Sequence, residues 1–142
     1  MGKQKKHLLD FENELEFDLI GICTPHPDYR VVWDINSTLK WQLEKAPDLF
    51  EMSNKKGLSQ SKHTYFHWKD DENYVEYYFI KNKSENKFLI PEYHQIDYFI
   101  IMNNLQLETV DDVVMKLKRV GNIMAVFSYD PTTIASAENI IL

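Results

Sequence analysis

The chain has 142 residues, a formal net charge of −6, and 44% hydrophobic and 13% aromatic residues. That length suits one α+β domain over 1–142 with its own core, and so many aromatics argue against disorder. The acidic balance, with Arg30 and Arg119 the only arginines, leaves no basic face to displace counterions from phosphates, so nucleic acid is not an expected partner.

No apolar run reaches the ~18 residues that a membrane span needs. The basic start, Met1 to Lys6, is followed by Asp10, Glu12 and Glu14. Acids stand where a secretory signal requires an apolar stretch, so none is expected. Cys23 is the only cysteine and has no internal disulfide partner. The expected location is a reducing cytoplasm.

The first predicted element is a strand from about Leu15 to Cys23. Phe11, Leu15, Phe17 and Leu19 alternate with Asp10, Glu12, Glu14, Glu16 and Asp18, and a period of two puts the two sets on opposite faces. The acidic set reads as a solvated face that discourages edge pairing, since calcium needs a folded loop rather than a flat strand. Cys23 reads as a packed side chain without a neighbour to activate it. Pro25 and Pro27 end the strand. Asp28 is then placed as the N-cap of a helix to about Lys40, with Val31 or Val32, Ile35 and Leu39 at helical spacing. The polar stretch Ser53 to Ser61 reads as a mobile surface loop.

An aromatic hairpin is expected next. His63 to Trp68 and Tyr74 to Ile80 form its strands and Lys69 to Asn73 its turn. The proposed register sets Trp68 opposite Val75, Phe66 opposite Tyr77 and Thr64 opposite Phe79, and pairs His67 with Glu76 on the other face. Residues four apart in one strand sit ~13 Å apart, so His63 and His67 are not expected to share a metal ion. Ile96 to Met102, apolar almost throughout, reads as a strand covered on both sides. Thr109 and Asp112 have capping-box spacing ahead of Val110, Val113, Val114 and Leu117, a helical stripe that Gly121 is expected to stop. A strand from Ile123 to Ser128 and a docked tail, Ser136 to Leu142, complete the chain. The fold class is α+β. It is a single antiparallel or mixed sheet of about five to six strands, with two helices packed on one face.

Within this layout the segment Ile90-Pro91-Glu92-Tyr93-His94-Gln95-Ile96-Asp97-Tyr98 stands apart. Pro91 disfavours helix at Ile90 and can start a single turn with Glu92 at its positive end. Alternation places Asp97 beside Phe99 and Ile101, where a carboxylate needs partners. Asp97 either accepts N–H groups of the preceding turn or serves as an acid/base group in a pocket, helped by Glu92 or His94. The stretch resembles the signature of a family of small bacterial proteins named IPExxxVDY. Ile90, Pro91, Glu92, Asp97 and Tyr98 match the motif as written, and Ile96 stands in place of its Val. The resemblance implies a small cytoplasmic protein and brings with it no mechanism, cofactor or catalytic residue. His94 falls at an unspecified position of the signature.

No glycine-rich phosphate loop and no Gly-x-Ser-x-Gly nucleophile motif occurs, and no cofactor or metal is implied. The leading functional reading is a non-enzymatic protein-interaction or adaptor module. Its candidate face carries His63, Tyr65, His67, Tyr74, Glu76 and Tyr78, because aromatic residues are enriched where proteins meet. The alternative is a small-molecule-binding protein or enzyme with its pocket near Glu92, Asp97 and Tyr98. An apolar pocket of roughly 300 Å³ or more, with those carboxylates converging on it, is the mark of the second reading. A flat aromatic patch is the mark of the first.

Overall fold

The computed structural model describes residues 17–54, 56–103 and 108–140. Its main sheet has six antiparallel strands in the order β10-β1-β9-β6-β5-β2. They are β1 (Asp18–Cys23), β2 (Glu44–Lys45), β5 (Tyr65–Asp70), β6 (Val75–Lys81), β9 (Tyr98–Met102) and β10 (Ala125–Tyr129). Two small hairpins stand beside it: β3 (Phe50–Ser53) with β4 (Ser59–His63), and β7 (Lys83–Ser84) with β8 (Lys87–Phe88). The helices are α1 (Asp28–Leu39) and α2 (Val110–Leu117). The expected α+β class with both helices on one face is the observed one.

β9 and β6 lie in the middle of the sheet, and alternate side chains enter two cores. The first holds Ile20, Ile22, Phe66, Tyr77, Phe79, Tyr98 and Ile100 beneath Val31, Val32, Ile35 and Leu39 of α1 and Val113 and Leu117 of α2. The second holds Leu19, Tyr78, Ile80, Phe99 and Ile101 beneath Phe50 and Met52 of β3, with Ile134, Ala137 and Ile140 of the C-terminal segment. β9 is therefore buried at every position, as its continuous apolar run predicts. The tail packs as far as Ile140, and Ile141 and Leu142 lie outside the described residues.

Several local expectations are corrected. β1 pairs with both β9 and β10, so its acidic face does not guard an edge. Of that face only Asp18 is described; it is half-buried, and burial pushes its carboxyl up. Pro27, not Asp28, is the N-cap of α1, while Asp28 Oδ1 accepts the Tyr29 N–H at 2.7 Å. Ser53 to Ser61 is not one loop, because its ends belong to β3 and β4. The alternation there is hidden, since the inward positions of β4 are the polar Ser61 and His63. Gly121 is not in the left-handed region. α2 instead ends with Lys118 still right-handed and bonded back to the last turn.

The β5–β6 register is shifted by two residues from the expected one: Trp68 faces Tyr77, Phe66 faces Phe79 and Asp70 faces Val75. β5 runs two residues further, to Asp70, and the turn is 71–74, with Tyr74 at φ 55° and Asp70 Oδ1 accepting the Glu72 and Asn73 N–H groups. A shift of two leaves every side chain on its predicted face, because the strand period is two.

Gly21 in β1 is required by a close approach. A Cβ there would stand 2.8 Å from Tyr129 Cε2 and 3.2 Å from Ile96 Cγ2. Gly21→Ala is expected to displace the Tyr129 ring from its contact with Tyr93 and to destabilise by about 1–3 kcal/mol. A chemical melt compared with wild type checks this, and unchanged stability would mean that Tyr129 moves freely.

Candidate functional site

The signature segment is held by a residue outside it. Asn82 follows β6 and is fully buried. Its Nδ2 donates to the carbonyls of Tyr93 at 3.0 Å and Ile96 at 2.7 Å, and its Oδ1 accepts the Ile90 N–H at 3.0 Å. Its backbone N–H donates to Asp97 O and its carbonyl accepts from Leu89. One side chain thus closes both ends of the 3₁₀ turn Pro91–Tyr93. Buried polar groups need such partners, and here the amide satisfies them all at once.

Asp97 does something else. It is exposed, and its Oδ2 accepts the Thr24 N–H at 2.8 Å, just beyond the end of β1. It takes no N–H from the preceding turn, because Ile96 occupies the second core and the alternation breaks before Tyr98. Asp97 is therefore not on the face of Phe99 and Ile101. Thr24 is buried, and its Oγ1 donates to Asn122 O at 2.5 Å and accepts from the His26 N–H at 3.2 Å. Asp97 thereby ties the signature to the exit of β1.

Glu92 reaches a third element. Its Oε1 accepts the Ser136 hydroxyl at 2.6 Å and its Oε2 accepts the Ser136 N–H at 3.0 Å. Burial pushes this carboxyl up, but the Ser136 hydroxyl and the Ser136 and neighbouring backbone N–H groups outweigh it and hold it below the ordinary glutamate value. The folded pKa is thus below the unfolded one of about 4.3. Its contribution to stability is complete above that value and is lost as pH falls through the folded one. Glu92 is exposed, so the contribution is modest. Glu92→Gln is expected to lower stability modestly at neutral pH and to converge with wild type near pH 3, so that the acid limb of a stability profile measured from about pH 6 to pH 3 is flatter. An unaltered acid limb would remove Glu92 from the clamp.

Tyr98 is buried, with its ring stacked on Phe79 at 4.8 Å and its hydroxyl donating to His26 O at 3.0 Å. Burial, with the charges of Asp28 and Asp97, pushes its pKa up to about 12, so it stays a donor. Burial and the Asp97 charge likewise push the Cys23 thiol up, away from nucleophile chemistry. Beside Asp97 and Tyr98 lies an open cleft of about 440 Å³. Glu92 does not line it, so the two signature carboxylates do not converge.

The expected aromatic face is only partly assembled. His63 belongs to β4, not to the hairpin, and is fully buried, with Nε2 on Ser61 Oγ at 2.7 Å. Burial lowers its pKa, partly offset by the Lys81 backbone. His67, Glu76 and Tyr78 do come together. Glu76 Oε2 is 3.1 Å from His67 Nε2 and accepts the Tyr78 hydroxyl at 2.9 Å, while the His67 ring stacks on Tyr78 at 4.6 Å. Burial, with the Glu76 hydrogen bond, pushes the Tyr78 hydroxyl up. Tyr65 joins through its ring and donates to Asp48 Oδ1 at 3.0 Å. These polar tips are spent within the fold. Only Tyr74, at the turn, stands mostly in solvent. Among the described residues no three His, Cys, Asp or Glu side chains converge as a metal site.

Tyr29 and Trp33 are the functional candidates that the sequence reading passes over. They are 69% and 66% exposed and lie one turn apart on α1, with the exposed Arg30 between them in sequence. The signal was present, because both fall off the Val31, Val32, Ile35 and Leu39 stripe at a spacing of four. No protein-family profile, curated protein or solved structure matches the chain. Fold and site therefore define the class as an α+β protein with a six-stranded antiparallel sheet. No described helix is long and apolar enough to cross a membrane.

Proposed function

We propose that the chain is a non-enzymatic protein-interaction module of the cytoplasm, with the outer face of α1 as its contact surface. The observation that carries this reading is the outward pair Tyr29 and Trp33 beside Arg30. Tyr, Trp and Arg are the residue types that dominate binding energy at interfaces, and a large aromatic left in water gains most when a partner covers it. The signature residues add support of another kind. Ile90, Glu92, Asp97 and Tyr98 each have a partner within the fold, which suits a scaffold role. On that ground we also propose kinship with the IPExxxVDY proteins, resting on the nine-residue signature.

The test is affinity capture from cytoplasm with wild type, Trp33→Ser with Tyr29→Ser, and Asp97→Asn. A protein captured by wild type and Asp97→Asn, and lost by the α1 variant at unchanged stability, supports the reading. Equal capture by all three overturns it.

A further inference from the structure

The cleft beside Asp97 and Tyr98 has walls set by the fold. One wall is the segment from Thr24 to Pro27. Two prolines limit its backbone, and it is tied to β9 by the Thr24 N–H on Asp97 and by the Tyr98 hydroxyl on His26 O. The lining also includes Lys81 at the end of β6, the cross-strand partner of Tyr98, and Lys83 of β7. Phe88 and His94 meet edge to face at 6.0 Å along it. The volume of about 440 Å³ falls within the range of small-molecule sites, roughly 300–1,000 Å³.

The polar groups facing this space are mostly unspent. Neither lysine pairs with a described carboxylate, and neither the His26 nor the His94 ring makes a hydrogen bond with a described residue. An imidazole donates in either protonation state. The one carboxylate of the lining, Asp97, has Oδ2 committed to Thr24. Pro27, at the rim, is the N-cap of the twelve-residue α1, whose positive end favours an anion. Asp28, in the first turn, is the nearby opposing charge; its Oδ1 is held by Tyr29 N–H. In a chain of net charge −6, a cleft whose two lysines balance Asp97 and the nearby Asp28 departs from the acidic average.

We propose that this cleft binds a small organic anion, a carboxylate or phosphate carried on a flat apolar body. The lysines and imidazoles take the anionic group, and the half-buried Phe88 takes the flat body. The inference is independent of the α1 surface, since neither Tyr29 nor Trp33 lines the cleft.

The test is an NMR titration of the full chain with phenyl phosphate, benzoate and inorganic phosphate, repeated on Lys81→Gln with Lys83→Gln. The expected result is saturable shifts with phenyl phosphate or benzoate, centred on His26, His94, Phe88 and residues 81–83. The double variant, keeping the wild-type spectrum elsewhere, is expected to bind at least about tenfold more weakly, the loss of one or two charge-assisted contacts. Which of the two organic probes binds more tightly assigns the anionic group. Inorganic phosphate binding as tightly as phenyl phosphate would overturn the role of the apolar wall. Shifts that do not saturate by about 10 mM, weaker than the −4.1 kcal/mol of a millimolar site, overturn the proposal. So do shifts that fall elsewhere, or an unaffected double variant. A control variant, His94→Gln, keeps the test decisive if the lysine pair misfolds: it is expected to weaken binding without moving the fold.

Discussion

Asn82→Ala is expected to lower the free energy of unfolding by about 3–5 kcal/mol. The substitution removes two Nδ2 donors and one Oδ1 acceptor, and leaves Tyr93 O, Ile96 O and Ile90 N–H without the partner that now satisfies them. An unsatisfied buried group costs about 1–3 kcal/mol. Three such losses exceed what water can restore at a site that is fully buried. Asn82→Asp separates the contributions. It keeps an acceptor for Ile90 N–H, loses both donors and places a charge against two carbonyl oxygens, so it is expected to be no better than alanine. Equilibrium melts in denaturant, with the spectrum of Tyr93 and Ile96 as a local reporter, check both variants. A loss below about 0.5 kcal/mol, the scale of an ordinary surface change, would show that the turn stands without Asn82.

What was legible in the sequence was local or periodic. The capping box works over three residues, and Thr109 Oγ1 does accept the Asp112 N–H at 3.1 Å. The β5–β6 faces follow from a period of two. They survived a register shift of two because only an odd shift exchanges core and solvent. The β3–β4 hairpin was illegible because its buried positions are filled by Ser61 and His63, which carry no apolar signal.

The candidate site was legible in part, and the missing part is non-local. The signature segment could be singled out, but not what its carboxylates hold. Glu92 reaches Ser136 across 44 residues and Asp97 reaches Thr24 across 73. No spacing rule links such pairs, and neither Ser136 nor Thr24 belongs to a motif. Asn82 lies in a run of Lys, Asn, Ser and Glu from 81 to 87 that reads as solvated loop. Burial there follows from the fold of residues 88–97 over it. The cleft, too, exists only once the end of β1, the 81–83 segment and the signature turn are brought together.

Leu117→Ala is the second large effect, expected to cost about 2–5 kcal/mol. Leu117 is in the last turn of α2, fully buried, and shares the first core with Val113, Val120, Ile123 and Val126. Alanine removes the transfer free energy of the lost methyl and methylene groups and leaves a cavity. The neighbours on one side are strand residues fixed by the β1–β10 ladder, which limits how far they can collapse into it. The upper half of the range therefore applies if the sheet holds and the lower half if α2 slides inward. Val114→Ala on the same helix is the control. Val114 is only partly buried against this core, so its cost is expected to be well below that of Leu117. Paired denaturant melts check the order. Equal losses at the two positions, or a Leu117→Ala loss under about 0.5 kcal/mol, would mean that α2 does not bury the Val113–Leu117 stripe against the sheet.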